Sequence, residues 1–288
     1  MSDLIAQLAV FGIVNGFGYA IAALGLTIIF GVMRIVNFAH GEFYMLGAFV
    51  AATLIATTGV PYLVAIPLSS VVVGVIGIAS ERVFIAPLHN RSHLTLLLST
   101  LAISMIFLNA AELIWGSAPR VITSPFEESL YVIGPVFLTG QRVFIVAVGI
   151  VVVVGLGLFL KYSTAGKIIR ATAQNPEGAA LIGVNIGLVR SMTFGFGCGL
   201  AALSGALLAP ISMTYPVMGQ ALAIKAFAVT ILGGLGSLPG AIIGGLTLGV
   251  VEAIAGGTLS TAYRDLFSYA AIIIVLLLRP QGLMGAAR

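Results

Sequence analysis

The 288-residue chain is 60% hydrophobic and only 8% charged, with thirteen Lys and Arg against nine Asp and Glu and a mean hydropathy of +1.17. Soluble domains carry about a quarter of their residues as charges, so a water-soluble enzyme or binding module is excluded and the composition is that of a polytopic membrane protein. The basic residues are scattered between apolar stretches rather than gathered into a patch, which fits membrane orientation and excludes a nucleic-acid surface.

Windows long enough to cross a bilayer, about 20 residues each, fall near 5–30, 35–57, 60–80, 94–116, 143–160 and 188–210, with less regular ones at 220–236, 238–256 and 262–278. They lack the alternation of a transmembrane barrel. The expectation is an all-α protein of about 8–9 transmembrane or broken helices, with 1–288 as a single integral membrane domain. No Lys or Arg precedes the first window, so it reads as a retained membrane helix rather than a signal peptide. If the central loop is cytoplasmic, Arg34, Arg82, Arg91, Lys161, Lys167, Arg170, Arg190, Arg279 and Arg288 lie inside. Arg120, Arg142 and Arg264 then lie outside, which puts the N-terminus outside and the C-terminus inside. The outer loop 117–142, rich in proline, reads either as a surface for a soluble partner or as a plain connector.

Two stretches interrupt the helical pattern. In 31–47, GVMRIVNFAHGEFYMLG, the polar residues Arg34, Asn37, His40 and Glu42 break an apolar window; in 233–257 nine glycines accompany Pro239. Irregular backbone at membrane depth is tolerated only where protein or water surrounds it, and interrupted segments in both halves point to a translocation path. Candidate path residues are Asn37, His40, Glu42, Gly234, Gly236, Pro239 and Gly240, with a structural or gating role in the broken segment as the competing reading. Glu42, Glu112, Lys225 and Glu252 are ionisable groups inside apolar windows, each needing a partner or a polar path. For Glu112 and Lys225 the favoured reading is a place near a helix end, snorkelling or paired. The GxxxG pairs, Gly12/Gly16 and Gly195/Gly199 among them, indicate close helix packing and no more.

The polar interval 161–190 carries four of the thirteen basic residues, Lys161, Lys167, Arg170 and Arg190. Asn175-Pro176-Glu177 reads as a cap, a proline in the first turn and an acid at the positive helix end. A short helix starts at Pro176 and ends at Gly183, behind another short helix over 165–173. Helix, bend and helix suit a docking segment; a solvated loop that only orients the chain is the alternative.

No catalytic site emerges. His40, His89 and His93 lack a metal-like arrangement, and the one Gly-Lys pair, Gly166-Lys167, is followed by Ile168 rather than the Ser or Thr of a phosphate loop. Cys198 is the single cysteine. The chain is therefore expected to bind no metal or cofactor and not to hydrolyse ATP itself.

The stretches GLTIIFGVMRIVNFAHGEFYMLGAF (25–49), GKIIRATAQNPEGAALIGVN (166–185), ILGGLGSLPGAIIGG (231–245) and LLLRPQGLMG (276–285) together resemble LivH-type permease subunits of bacterial ABC importers for branched-chain amino acids. The resemblance covers essentially the whole chain. It implies that Pro176, Glu177, Ala179, Ala180 and Gly183 belong to the cytoplasmic coupling segment that meets the ATPase, although that family usually has alanine or another residue where Gly178 stands. It also implies two ATPase subunits, a second LivM-like permease, a periplasmic solute-binding protein and residence in the bacterial inner membrane. A urea or short-amide permease of the same family remains an alternative, as does an ion-coupled secondary transporter using Glu42, Glu112 or Glu252.

Overall fold

The computed structural model describes residues 2–258, 264–279 and 281–284; Pro280, Gly285 and Arg288, used above, lie outside them. The described residues are mostly helical: α1 (Ser2–Met33), α2 (His40–Thr58), α3 (Tyr62–Ser80), α4 (His93–Trp115), α5 (Gly140–Tyr162), α6 (Thr164–Gln174), α7 (Pro176–Leu181), α8 (Ile186–Leu208), α9 (Met218–Gly233), α10 (Leu238–Thr258) and α11 (Arg264–Leu278). Among the described residues seven helices are long and apolar enough to span a bilayer, and Met218–Gly233 and Leu266–Val275 are shorter apolar ones. The chain is thus a multi-pass helical membrane protein with the expected number of elements. One element went unforeseen: β1 (Leu130–Ile133) pairs with β2 (Val136–Thr139) in an antiparallel hairpin within the 117–142 loop.

The interruption expected within 31–47 is present, and the one expected in 233–257 is much shorter than that stretch. The window at 35–57 does not begin as a helix, because 34–39 is extended and turned, with Arg34 at a left-handed φ of 57°. Conversely, the glycine-rich 233–257 is interrupted only at 234–237; from Leu238 it is a continuous helix. Pro239 sits in the first turn, where its missing N–H costs no intrahelical bond. Several of the glycines serve packing rather than breaking the backbone.

Helices α1 and α8 form the centre, each with 83% of its membrane window buried, against 22% for α4 and α5. Glycine is what lets them approach. A Cβ on Gly12 would lie 2.5 Å from the Cα of Val250, one on Gly16 2.9 Å from the carbonyl oxygen of Gly245, and one on Gly25 2.3 Å from that of Gly197. The Gly12/Gly16 pair therefore faces α10 of the same chain. Gly195 and Gly199 face α3 in the same way, with Gly74 and Ser70 opposite. Helix α2 closes onto α8 where Gly47 meets Ala202 and Gly205 meets Tyr44, and onto α9 where Gly41 meets Gly219.

Gly47→Leu should lower stability by about 1–3 kcal/mol or prevent assembly, because the added atoms meet backbone that has no rotamer to yield. Gly155→Ala, on an α5 face with nothing within 4 Å of the added atom, should be neutral or stabilising by up to about 1 kcal/mol. Thermal unfolding of the purified protein in detergent separates the two.

Candidate coupling and transport sites

The 163–185 segment is built from local signals. Ser163 Oγ accepts from the Gly166 amide at 2.9 Å and starts α6; Asn175 Oδ1 accepts from the Gly178 amide at 2.8 Å and starts α7, with Pro176 in its first turn. Gly183, at φ 87°, turns the chain away, its amide donating to the Ala180 carbonyl. Boundaries and caps follow the sequence reading closely. The segment is seated on the bundle where Gly166 abuts the backbone of Phe159 and Leu160, and Arg34 Nη2 donates to the Ala173 carbonyl at 3.5 Å.

Helix α7 presents one face outward. Ala179 is buried, whereas Pro176, Glu177, Ala180 and Gly183 are exposed. Leu181 and Ile182, which the sequence reading passed over, are 89% and 79% exposed. Their signal was available: two large apolar residues closing a short helix that has no apolar face of its own to bury.

Immediately after α7, Asn185 caps α8 through the Leu188 amide at 3.0 Å, and Ser191 Oγ donates to the buried Glu81 carboxylate. Glu81 opens a π-helical turn, Glu81–Ile85, that ends α3. His89, just beyond, has its pKa lowered by burial and then by the charge of Arg190. This contact ties the exposed segment to the α3–α8 pair.

Asn37, His40 and Glu42 lie deep in the bundle, each at most 1% exposed. His40 Nε2 donates to the Ala22 carbonyl at 2.8 Å. Ala22 precedes the end of α1 by eleven residues, about 16 Å at 1.5 Å per residue, so 34–39 runs back into the interior and α2 starts there. Thr100 of α4 holds this return, accepting from the Phe38 amide and lying 3.3 Å from the Val36 carbonyl. Asn37 Oδ1 accepts from the Ala39 amide, and Ser104 Oγ donates to Glu42 Oε1 at 3.1 Å. Asn37 Nδ2, His40 Nδ1 and Glu42 Oε2 have no hydrogen-bond partner among the described residues.

The second candidate group sits elsewhere. Gly234 (φ 102°) and Gly236 (φ 87°) shape the turn between α9 and α10, with Gly236 and Pro239 exposed and Gly234 and Gly240 buried. This turn meets the end of the chain: the Leu283 amide donates to the Leu232 carbonyl at 2.8 Å and the Met284 amide to Gly233 at 3.1 Å. None of the described hydrogen bonds joins it to Asn37, His40 or Glu42.

Lys225 does not snorkel from a helix end. Its Nζ lies 3.0 Å from Glu252 Oε2, and Tyr19 OH donates to the same oxygen at 3.0 Å, while Ser268 Oγ donates to Glu252 Oε1. All four residues are buried or nearly so. Glu112 lies exposed in the last turn of α4, as a helix-end residue.

The family described as the branched-chain amino acid transport system permease component matches residues 8–276. The chain belongs to this family. LivH of Escherichia coli K12, named a high-affinity branched-chain amino acid transport system permease protein, is 35% identical to it over 95% of this chain and 93% of its own length. BraD of Pseudomonas aeruginosa, similarly named, is 36% identical over 97% of this chain and 95% of its own. A probable LivH permease of Methanocaldococcus jannaschii is 29% identical over 91% and 87%. Among solved structures, PsaBC from Streptococcus pneumoniae in complex with Fab superposes at a TM-score of 0.50 with 12% identity, over 94% of this chain and 91% of that one, a likeness of fold alone.

In this permease Thr100→Val keeps side-chain shape but leaves the Phe38 amide unpaired. It should cost about 1–3 kcal/mol and raise hydrogen exchange selectively in 34–39, measured by mass spectrometry.

Proposed function

We propose that this chain is one of two permease subunits of an ATP-driven importer that carries branched-chain or related hydrophobic amino acids across the bacterial inner membrane. The observation that carries the coupling role is α7: a capped, exposed helix seated on the bundle by α6 and joined to α8, with Leu181 and Ile182 bare. Family membership supports the rest.

In this reading two ATPase subunits hydrolyse ATP, a LivM-like permease forms the other half of the path, and a periplasmic solute-binding protein delivers substrate. The chain itself binds no cofactor. Orientation follows the positive residues, with the coupling segment and C-terminus inside and the N-terminus outside. Pro176, Glu177, Ala180 and Gly183 meet the ATPase together with Leu181 and Ile182, and Ala179 fixes the helix to the bundle. Closing of the ATPases pushes on α7, and the push reaches α3 and α8 through Asn185 and the Ser191–Glu81 contact. Asn37, His40 and Glu42 line the interior path, and the turn containing Gly234, Gly236, Pro239 and Gly240 flexes as α9 and α10 move.

Proteoliposomes holding the complete complex test the substrate: leucine uptake that requires ATP is expected. Urea uptake without leucine uptake, or leucine uptake driven by an ion gradient without ATP, overturns the reading. Leu181→Asp should weaken ATPase retention by about 2 kcal/mol or more, roughly thirtyfold, as for an interface anchor, while membrane insertion is unchanged. Normal recovery of the ATPases with that variant would place the docking surface elsewhere.

A further inference from the structure

Arg142 and Phe11 line two cavities at once, an inner one of about 340 Å³ and an outer groove of about 560 Å³. Arg142 is half-buried in the first turn of α5, and its guanidinium lies over the Phe11 ring of α1, 3.4 Å from the ring centroid. The inner cavity lies among the central helices: Asn15 comes from α1, Tyr44 from α2 and Leu208 from α8, with Ser212 just beyond it. The outer groove runs between the start of α1, at Asp3 and Gln7, and the hairpin, at Leu130 and Phe137. Along α5, Arg142 lies 21 residues before Ser163, about 32 Å at 1.5 Å per residue. It is therefore about one hydrocarbon thickness from the exposed 163–185 segment. Among the described residues its guanidinium makes no ion pair and no hydrogen bond.

We infer that Arg142 is the carboxylate-binding residue of a substrate entry site, at the membrane face opposite the coupling segment. The inference rests on the importer reading above. A cation within an apolar span is unfavourable without a partner, and one on the outer side runs against the orientation that the other basic residues set. No carboxylate of the described chain supplies that partner; Asp3 lines the outer groove but lies beyond ion-pair distance. A guanidinium presents five N–H donors in a planar fork that grips a carboxylate through two of them. The Phe11 ring holds that plane, and none of the five donors is engaged by the described chain. The inner cavity then combines polar groups, at Asn15, Tyr44 and Ser212, with apolar wall, at Leu8, Leu208 and Ile211. Such a lining suits a small molecule with one anionic end and an apolar body. Its volume is at the lower end of small-molecule sites, about 300–1,000 Å³, which fits an amino acid and is too small for a two-chain lipid. The substrate carboxylate pairs with Arg142 on leaving the delivering protein, and the side chain lies against the apolar wall. A neutral amide such as urea brings no carboxylate, so the same residue separates the two substrate classes. A lipid phosphate presents the same anionic chemistry to the guanidinium, and the test separates the two sources.

The test uses the complete complex in proteoliposomes, with leucine as probe at saturating binding protein, in vesicles of phosphatidylcholine alone or with added phosphatidylglycerol. Arg142→Gln should slow leucine uptake at least about tenfold, as for the loss of a hydrogen-bonded charge. Complex recovery, thermal midpoint and half-saturation by the binding protein should stay at wild-type values. Arg142→Lys keeps the charge without the fork and should fall between Arg142→Gln and wild type, and both results should be the same in the two kinds of vesicle. Uptake at the wild-type rate in Arg142→Gln overturns the entry site, and so does equal slowing by the two variants. Slowing confined to vesicles with phosphatidylglycerol assigns the guanidinium to a lipid headgroup and overturns it too. Should Arg142→Gln fail to assemble, Ser212→Cys decides, because Ser212 is exposed and the native Cys198 is buried. A bulky thiol reagent applied to the assembled complex then fills the inner cavity after folding. Uptake at least about tenfold slower than in the equally treated wild type supports the entry site; full labelling without slowing, or no labelling, overturns it. A wild-type complex without ATP-dependent leucine uptake overturns the importer reading and the entry site with it, whereas active wild type with unaffected variants overturns the entry site alone.

Discussion

The bundle depends on backbone-to-backbone contact between α1 and its neighbours α8 and α10. Lipid tails are as apolar as leucine, so helices in a membrane gain little from hiding apolar side chains and associate through close packing and internal hydrogen bonds. Gly12, Gly16 and Gly25 on α1, facing Val250, Gly245 and Gly197, supply the packing. The polar groups then have to be satisfied where these helices meet. Ser204 donates to the Gly18 carbonyl, His40 to that of Ala22, and Tyr19 to Glu252.

Once α1 is fixed, the irregular return at 34–39 becomes possible. Unwound backbone in a bilayer needs partners from the protein itself, and Thr100, Asn37 and the interior face of α1 provide them. The same central contact sets α10 against α1 and so brings Glu252 within reach of Tyr19 and Lys225. Buried polar contacts and packing share one set of helices, while α4 and α5, with most of their surface uncovered, form the periphery.

Away from this centre, the 163–185 segment is organised almost wholly by local rules. Its caps, its proline and its terminal glycine act within a few residues, which is why its boundaries could be read directly from the order of amino acids. Its mechanical connection could not, because Ser191 and Glu81 are separated by 110 residues. The apolar windows were equally legible, since a bilayer imposes a length on any helix that crosses it. The break within 31–47 was legible from its polar residues, but not what holds it, because Thr100 lies on another helix and accepts from the Phe38 amide. The glycines of α10, which look like helix breakers in isolation, are contact points once α1 lies beside them.

By itself the sequence determined the membrane class, the number and approximate limits of the helices, the helix–bend–helix of 163–185 and, through its motifs, the family. These follow from hydropathy, capping and local backbone preference, which act over one turn to one membrane span. Tertiary structure alone decided that Lys225 of α9 pairs with Glu252 of α10 and that Tyr19 joins them from α1. It likewise decided that α2 begins inside the bundle and that the chain's final described residues, Leu283 and Met284, close onto the 232–234 backbone. Those facts depend on which helix faces which, a long-range choice made by glycine contacts and charge pairing between segments far apart in the chain.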